Sequence, residues 1–83
     1  MLKRKLGDKV YINPYSNLTG IITDSKEVTN NFHPFWDYKV KFNHVVDFGW
    51  GFQDCEYYNE DELDRLLKNW NMVKGIAWNE VFI

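Results

Sequence analysis

Polar and apolar positions alternate in short runs along most of this chain, and then change to a helical period. Val10 and Ile12 alternate with Lys9, Tyr11 and Asn13, the two-residue period of a half-buried strand. Pro14 ends that run, because proline has no N–H to give to a ladder. Tyr15-Ser16-Asn17 reads as a loop. A second strand, Leu18 to Thr23, is rich in β-branched residues. Gly20 within it predicts a bulge or a sharp bend. Asp24 opens a long connection that runs to about Pro34, with Asn30-Asn31 as a turn inside it. The third strand has the sharpest alternation: Trp36, Tyr38, Val40 and Phe42 on one face, Asp37, Lys39, Lys41 and Asn43 on the other. Asn43-His44 reads as a turn, Val45 to Phe48 follow, and Gly49-Trp50-Gly51 links to a strand over Phe52 to Tyr58. In that strand Cys55 and Tyr57 are expected to face inward.

The period then changes. Asn59 followed by Glu62 is a capping-box-like helix start. Glu60, Asp61 and Glu62 suit the positive end of a helix dipole. Leu63, Leu66, Leu67 and Trp70 fall at i, i+3, i+4 and i+7, a single apolar face. Asn69 or Asn71 is expected to end the helix, and Gly75 to punctuate it. Ile76 to Ile83 then reads as a last, closing strand. No repeats and no low-complexity linker interrupt the order.

This order resembles the SH3-like small barrel. The resemblance rests on the start Gly7-Asp8-Lys9-Val10, on Gly20 in the second strand, on Tyr38-x-Val40-x-Phe42, and on an acidic segment ending in Glu62-Leu63. The order is similar to that of the small-barrel protein family of photosystem I, of ribosomal-type KOW barrels and of many small phage proteins. It covers roughly residues 7–63 and implies a fold, not an activity. The fold class expected is mainly β: an SH3-like five- or six-stranded small barrel, with one C-terminal helix at about 60–70 and a closing strand at about 76–82. The helix is longer than the short turn usual in such barrels, and residues 72–83 are an addition. No functional residue carries over from those families.

Composition narrows the picture. The chain has 83 residues, enough for one domain over 1–83. Such a chain buries about 60–65% of its unfolded surface, so its core is thin. Four Trp, five Tyr and six Phe supply the bulk that a small core needs. Cys55 is the only cysteine, so no internal disulfide forms, which fits a reducing cytoplasm. No apolar run is long enough to span a membrane. The basic start Met1 to Lys5 runs into Gly7-Asp8, unlike a secretory signal. The use of Asn, Lys and Ile points to an AT-rich genome, such as that of a low-GC bacterium or its phage. Net charge is −2, but the charge is divided. Lys3, Arg4, Lys5 and Lys9 stand against Asp8 alone, while Asp54, Glu56, Glu60, Asp61, Glu62 and Asp64 precede any basic residue in their stretch.

The candidate chemistry follows from that division. Gly49-Trp50-Gly51 has neither the spacing nor the lysine of a phosphate loop. Its ordinary reading is a bent hairpin link; the sharper one is that it presents Trp50 as an interface anchor. His33, His44 and Cys55 are too scattered to ligate a metal or to form a Cys-His nucleophile. The carboxylates Asp54, Glu56, Glu60, Asp61, Glu62 and Asp64 read first as helix capping and a solvated face. Their sharper reading is a phosphate-like stripe that occupies a basic nucleic-acid channel. The opposite reading gives Lys3, Arg4, Lys5, Lys9, Lys39 and Lys41 to nucleic acid, with Tyr11, Tyr15 and Trp36 for stacking. A sequence pI near 5.6 argues against it. The segment around Phe32, Phe35 and Trp36 folds over one end of the barrel or offers an apolar anchor.

The expectation is a non-catalytic binding protein, phage- or bacteria-encoded and cytoplasmic, with no cofactor and no metal. It would bind and inhibit a larger host protein, a nucleic-acid enzyme or defence nuclease, in the manner of anti-CRISPR or anti-restriction proteins. The contact residues would be Asp54, Glu56, Glu60, Asp61, Glu62 and Asp64, with Trp50, Phe32, Phe35 and Trp36 as apolar anchors. The alternatives are a KOW-like nucleic-acid-binding barrel and a structural component that docks in a larger complex. A monomer and a homodimer are both open.

Overall fold

The computed structural model describes residues 3–28 and 35–82, with 76–82 described through their backbone only. Four strands and one helix follow each other: β1 Lys9–Asn13, β2 Leu18–Ser25, β3 Tyr38–Asp47, β4 Phe52–Tyr58 and α1 Glu60–Phe82. The strands form one antiparallel sheet in the order β1-β2-β3-β4. The protein is therefore mainly β with a C-terminal helix. Among the described residues β1 and β4 do not pair, and the sheet is not closed.

Each pairing contains one register shift, between Tyr11 and Asn13, between Ile22 and Asp24, and between Lys41 and Val46. Such shifts bend and twist strands without ending them. The last one explains why Asn43-His44 is not a turn: β3 runs through it. The β1–β2 turn is closed by Asn13, whose Oδ1 accepts from the Tyr15 and Ser16 N–H groups at 2.9 and 3.4 Å. Asn17 takes the left-handed conformation there, with φ 54°.

One face of the sheet carries the core: Val10, Leu18, Ile22, Tyr38, Val40 and Phe42 are buried. Leu63 of α1 joins them, and Ile12, Val46, Phe48, Tyr58 and Leu66 pack around the edge. The apolar helix face read at Leu63, Leu66 and Trp70 is thus the docking face. Trp70 lies against Tyr11 of β1 with ring centroids 5.0 Å apart. Gly20 serves a close approach, not the bend expected of it. A Cβ there would collide with the Cγ1 of Val40 and stand 2.9 Å from the Lys41 carbonyl oxygen.

Two expectations are corrected. First, the closing strand at about 76–82 is helix: α1 continues past Asn69, Asn71 and Gly75 to Phe82. A short apolar run fits a strand and a helix equally. Once a helix is nucleated, each added residue gains a hydrogen bond, which outweighs the cost of about 1 kcal/mol for one glycine. Second, the β4 faces are reversed. Tyr58 pairs with Tyr38 and Glu56 with Val40, on the core face, while Cys55 and Tyr57 pair with Lys41 and Lys39 on the other.

Candidate functional site

The basic N-terminal residues and the acidic helix start, read separately in the sequence, meet in space. Glu60 and Asp64 are one helical turn apart, so a single guanidinium can reach both. Arg4 does so: Nη1 donates to Glu60 Oε1 at 2.8 Å and Nη2 to Asp64 Oδ1 at 3.0 Å. Lys3 Nζ donates to Asp64 Oδ2 at 2.8 Å. The Arg4 N–H donates to the Tyr38 hydroxyl at 3.0 Å, and that hydroxyl donates to Glu60. Asp37 completes the joint, accepting from the Glu60 N–H at 2.7 Å and from Lys26 Nζ at 2.7 Å.

The electrostatics follow the contacts. Hydrogen bonds from Lys3 and then Arg4 hold the Asp64 carboxyl below its ordinary value. Burial pushes the Asp37 carboxyl up, but Lys26 and the Glu60 N–H outweigh it and the net direction is down. Burial, reinforced by the bond to Glu60, pushes the Tyr38 hydroxyl up to about 12. The network ties the segment before β1, the start of β3 and the start of α1 together. It is a structural joint.

That joint changes the acidic surface. Glu60 and Asp64 are engaged within the molecule. Glu62 is half-buried and its Oε1 accepts from the Asn59 N–H at 3.2 Å, the reciprocal arm of a capping box. Glu56 is half-buried near Tyr58, whose hydroxyl is pushed up to about 12 by burial first and by Glu56 and Glu62 after it. Of the six carboxylates named from the sequence, Asp54 and Asp61 are the exposed ones. Phe32 lies outside the described residues. Phe35 is exposed and Trp36 half-buried just before β3.

The more prominent surface is the β3–β4 hairpin. Gly49 and Gly51 take φ of 92° and 147°, which side chains resist. Asp47 Oδ1 accepts from the Gly49 N–H at 2.8 Å, and the Phe48 N–H donates to the Gly51 carbonyl at 3.1 Å. The link is thus a folded turn that also displays its tryptophan. Trp50 stacks on Phe48 with centroids 5.5 Å apart and rings 16° from parallel. Phe48 in turn sits 6.1 Å from the Phe42 ring of the core. Trp50 is 72% exposed, Phe52 77% and Val45 59%. A shallow depression beside them is lined by Val45, Phe52, Asp54, Cys55, Glu56 and Tyr57.

No Lys or Arg occurs between Phe42 and Asp64, so the carboxylates of Asp47 and Asp54 flank these rings without a basic neighbour in sequence. Phe52, Val45 and Asp47 were not singled out from the sequence. The signal was an aromatic on either side of Gly51, but only the turn geometry puts Trp50, Phe52 and Val45 on one surface.

Among the described residues, no group of three or more His, Cys, Asp or Glu could hold a metal ion. No helix among them is long and apolar enough to cross a membrane. No family model matches the chain, and no curated protein or solved structure matches it either.

Proposed function

We propose that the protein is a non-catalytic module that docks on a larger protein through the β3–β4 hairpin. The observation that carries this reading is the exposed set Val45, Trp50 and Phe52, rooted in the core through Phe48. Rigid aromatic rings displayed on a folded turn are good anchors, because little side-chain freedom is lost on contact. Asp47 and Asp54 beside them favour a partner with a basic rim. β4 has one strand neighbour among the described residues, so the partner could also pair along its outer edge. The working surface moves from the helix start, where Arg4 and Lys3 cover the carboxylates, to the hairpin.

A nucleic-acid enzyme with a basic channel is the narrower partner class to test first, and inhibition is its expected consequence. The SH3-like kinship belongs to the same proposal. Its support is the consecutive β1-β2-β3-β4 order with a register shift in each pairing.

The test is capture from a bacterial lysate at low and high salt, using wild type, Trp50→Ala/Phe52→Ala, Asp47→Asn/Asp54→Asn, and Asp61→Asn. One stoichiometric partner, lost with both hairpin variants and kept by Asp61→Asn, supports the reading. Equal capture by hairpin variants with native circular dichroism overturns it.

A further inference from the structure

The sheet face opposite the core is open and basic. Register places Lys9, Ile21, Lys41 and Cys55 in one cross-strand row from β1 to β4. Lys39 and Tyr57 form the adjoining pair. Directly opposed residues share a face, so these side chains project together. Lys9 and Lys41 are exposed and Ile21 is 44% exposed. Among the described residues Lys9, Lys39 and Lys41 make no ion pair, whereas Lys3, Arg4 and Lys26 do. Asp24 stands opposite Lys39, with its Oδ1 accepting from the Ser25 N–H at 2.8 Å.

We infer that this face is a second binding site, for single-stranded nucleic acid. Lys39 and Lys41 are about 7 Å apart along one strand, and Lys9 lies about 10 Å from Lys41 across two strand spacings. That triangle of ammonium groups surrounds an uncharged shelf of Ile21, Cys55 and Tyr57. Cations along a backbone track, with an apolar and aromatic shelf for bases, are what a single strand requires. A flat open sheet offers no projecting helix for a duplex groove.

The net charge of −2 does not oppose this. Charges more than about 8 Å away are largely screened at physiological salt, so the local face decides. The face is distinct from the hairpin anchors, and the inference stands apart from the docking proposal.

The experiment is fluorescence anisotropy with labelled oligo(dT) and oligo(rU), on the whole chain, between about 50 and 200 mM salt. Binding should weaken with a log–log slope of about −2, the value for three phosphate contacts on a single strand. Lys9→Gln, Lys39→Gln and Lys41→Gln should each weaken it by several-fold, and Lys68→Gln should not. The hairpin variant Trp50→Ala/Phe52→Ala should bind the oligonucleotides as wild type does, which separates this site from the docking surface. No binding at the lowest salt, or binding indifferent to the three lysines, overturns the inference. So does low-salt self-association, seen by sedimentation and abolished by Lys41→Gln, which would give the face to a second copy of the chain.

Discussion

Replacing Gly20 with alanine tests the packing of the sheet at its tightest point. The residue pairs with Val10 on one side and Phe42 on the other, both in the core. The added Cβ would overlap Val40 Cγ1, on a side chain that is fully buried, and would stand 2.9 Å from the Lys41 carbonyl oxygen. Neither neighbour can swing away: valine has one short branched side chain, and the carbonyl belongs to the β3 ladder. Overpacking of this kind costs about 1–3 kcal/mol. Loss of glycine freedom in the unfolded chain returns about 0.4–1 kcal/mol.

The expected net is a loss of about 1–2 kcal/mol. With a urea slope of about 1 kcal/mol per molar, the midpoint falls by about 1–2 M. Urea titration followed by tryptophan emission reads this directly. Val40→Ala removes the colliding methyl, so the double variant should be more stable than the sum of the singles implies. Rescue should be partial, because the carbonyl contact stays. A Gly20→Ala variant as stable as wild type, or strict additivity in the double variant, would refute the close approach.

Two further outcomes are expected. Gly75→Ala should stabilise the protein by up to about 1 kcal/mol and raise the helical circular dichroism signal, since a Cβ there meets nothing within 4 Å and α1 runs through it; an unchanged signal would argue against a helix continuing to Phe82. Tyr38 and Tyr58 ionise at about 12 when folded against 10.0 ordinarily, so their contribution is intact below pH 10 and is lost as pH rises toward 12. Asp37 and Asp64 are shifted the other way, so their contribution is present above the ordinary value of 3.8 and disappears as pH falls below it. Thermal melts across the pH range should therefore show both an acid and an alkaline decline; a flat alkaline limb would contradict the buried tyrosines.

Much of the local order was legible because it depends on neighbours a few residues apart. The alternation of Tyr38, Val40 and Phe42 identified the core face of β3, since side chains in a strand alternate sides. The spacing of Leu63, Leu66 and Trp70 identified the helix face that packs, and Asn59 with Glu62 marked its start. Turn chemistry at Asn17, Gly49 and Gly51 was visible for the same reason. The segment Ile76 to Phe82 was misread because apolar content without a clear period does not separate strand from helix.

What the tertiary structure alone decided is how distant residues are paired. Register turned Tyr58 to the core and Tyr57 outward, because the shift between Lys41 and Val46 resets the alternation across β3 and β4. Folding carried Lys3 and Arg4 onto Glu60 and Asp64, residues separated by most of the chain, and so removed two carboxylates from the surface the sequence displayed. It also gathered Lys9, Lys39 and Lys41 on one face and left Trp50 and Phe52 on another. Charge and aromatic content are properties of the sequence, but whether a group is free to meet a partner depends on contacts across the fold, which no local pattern encodes.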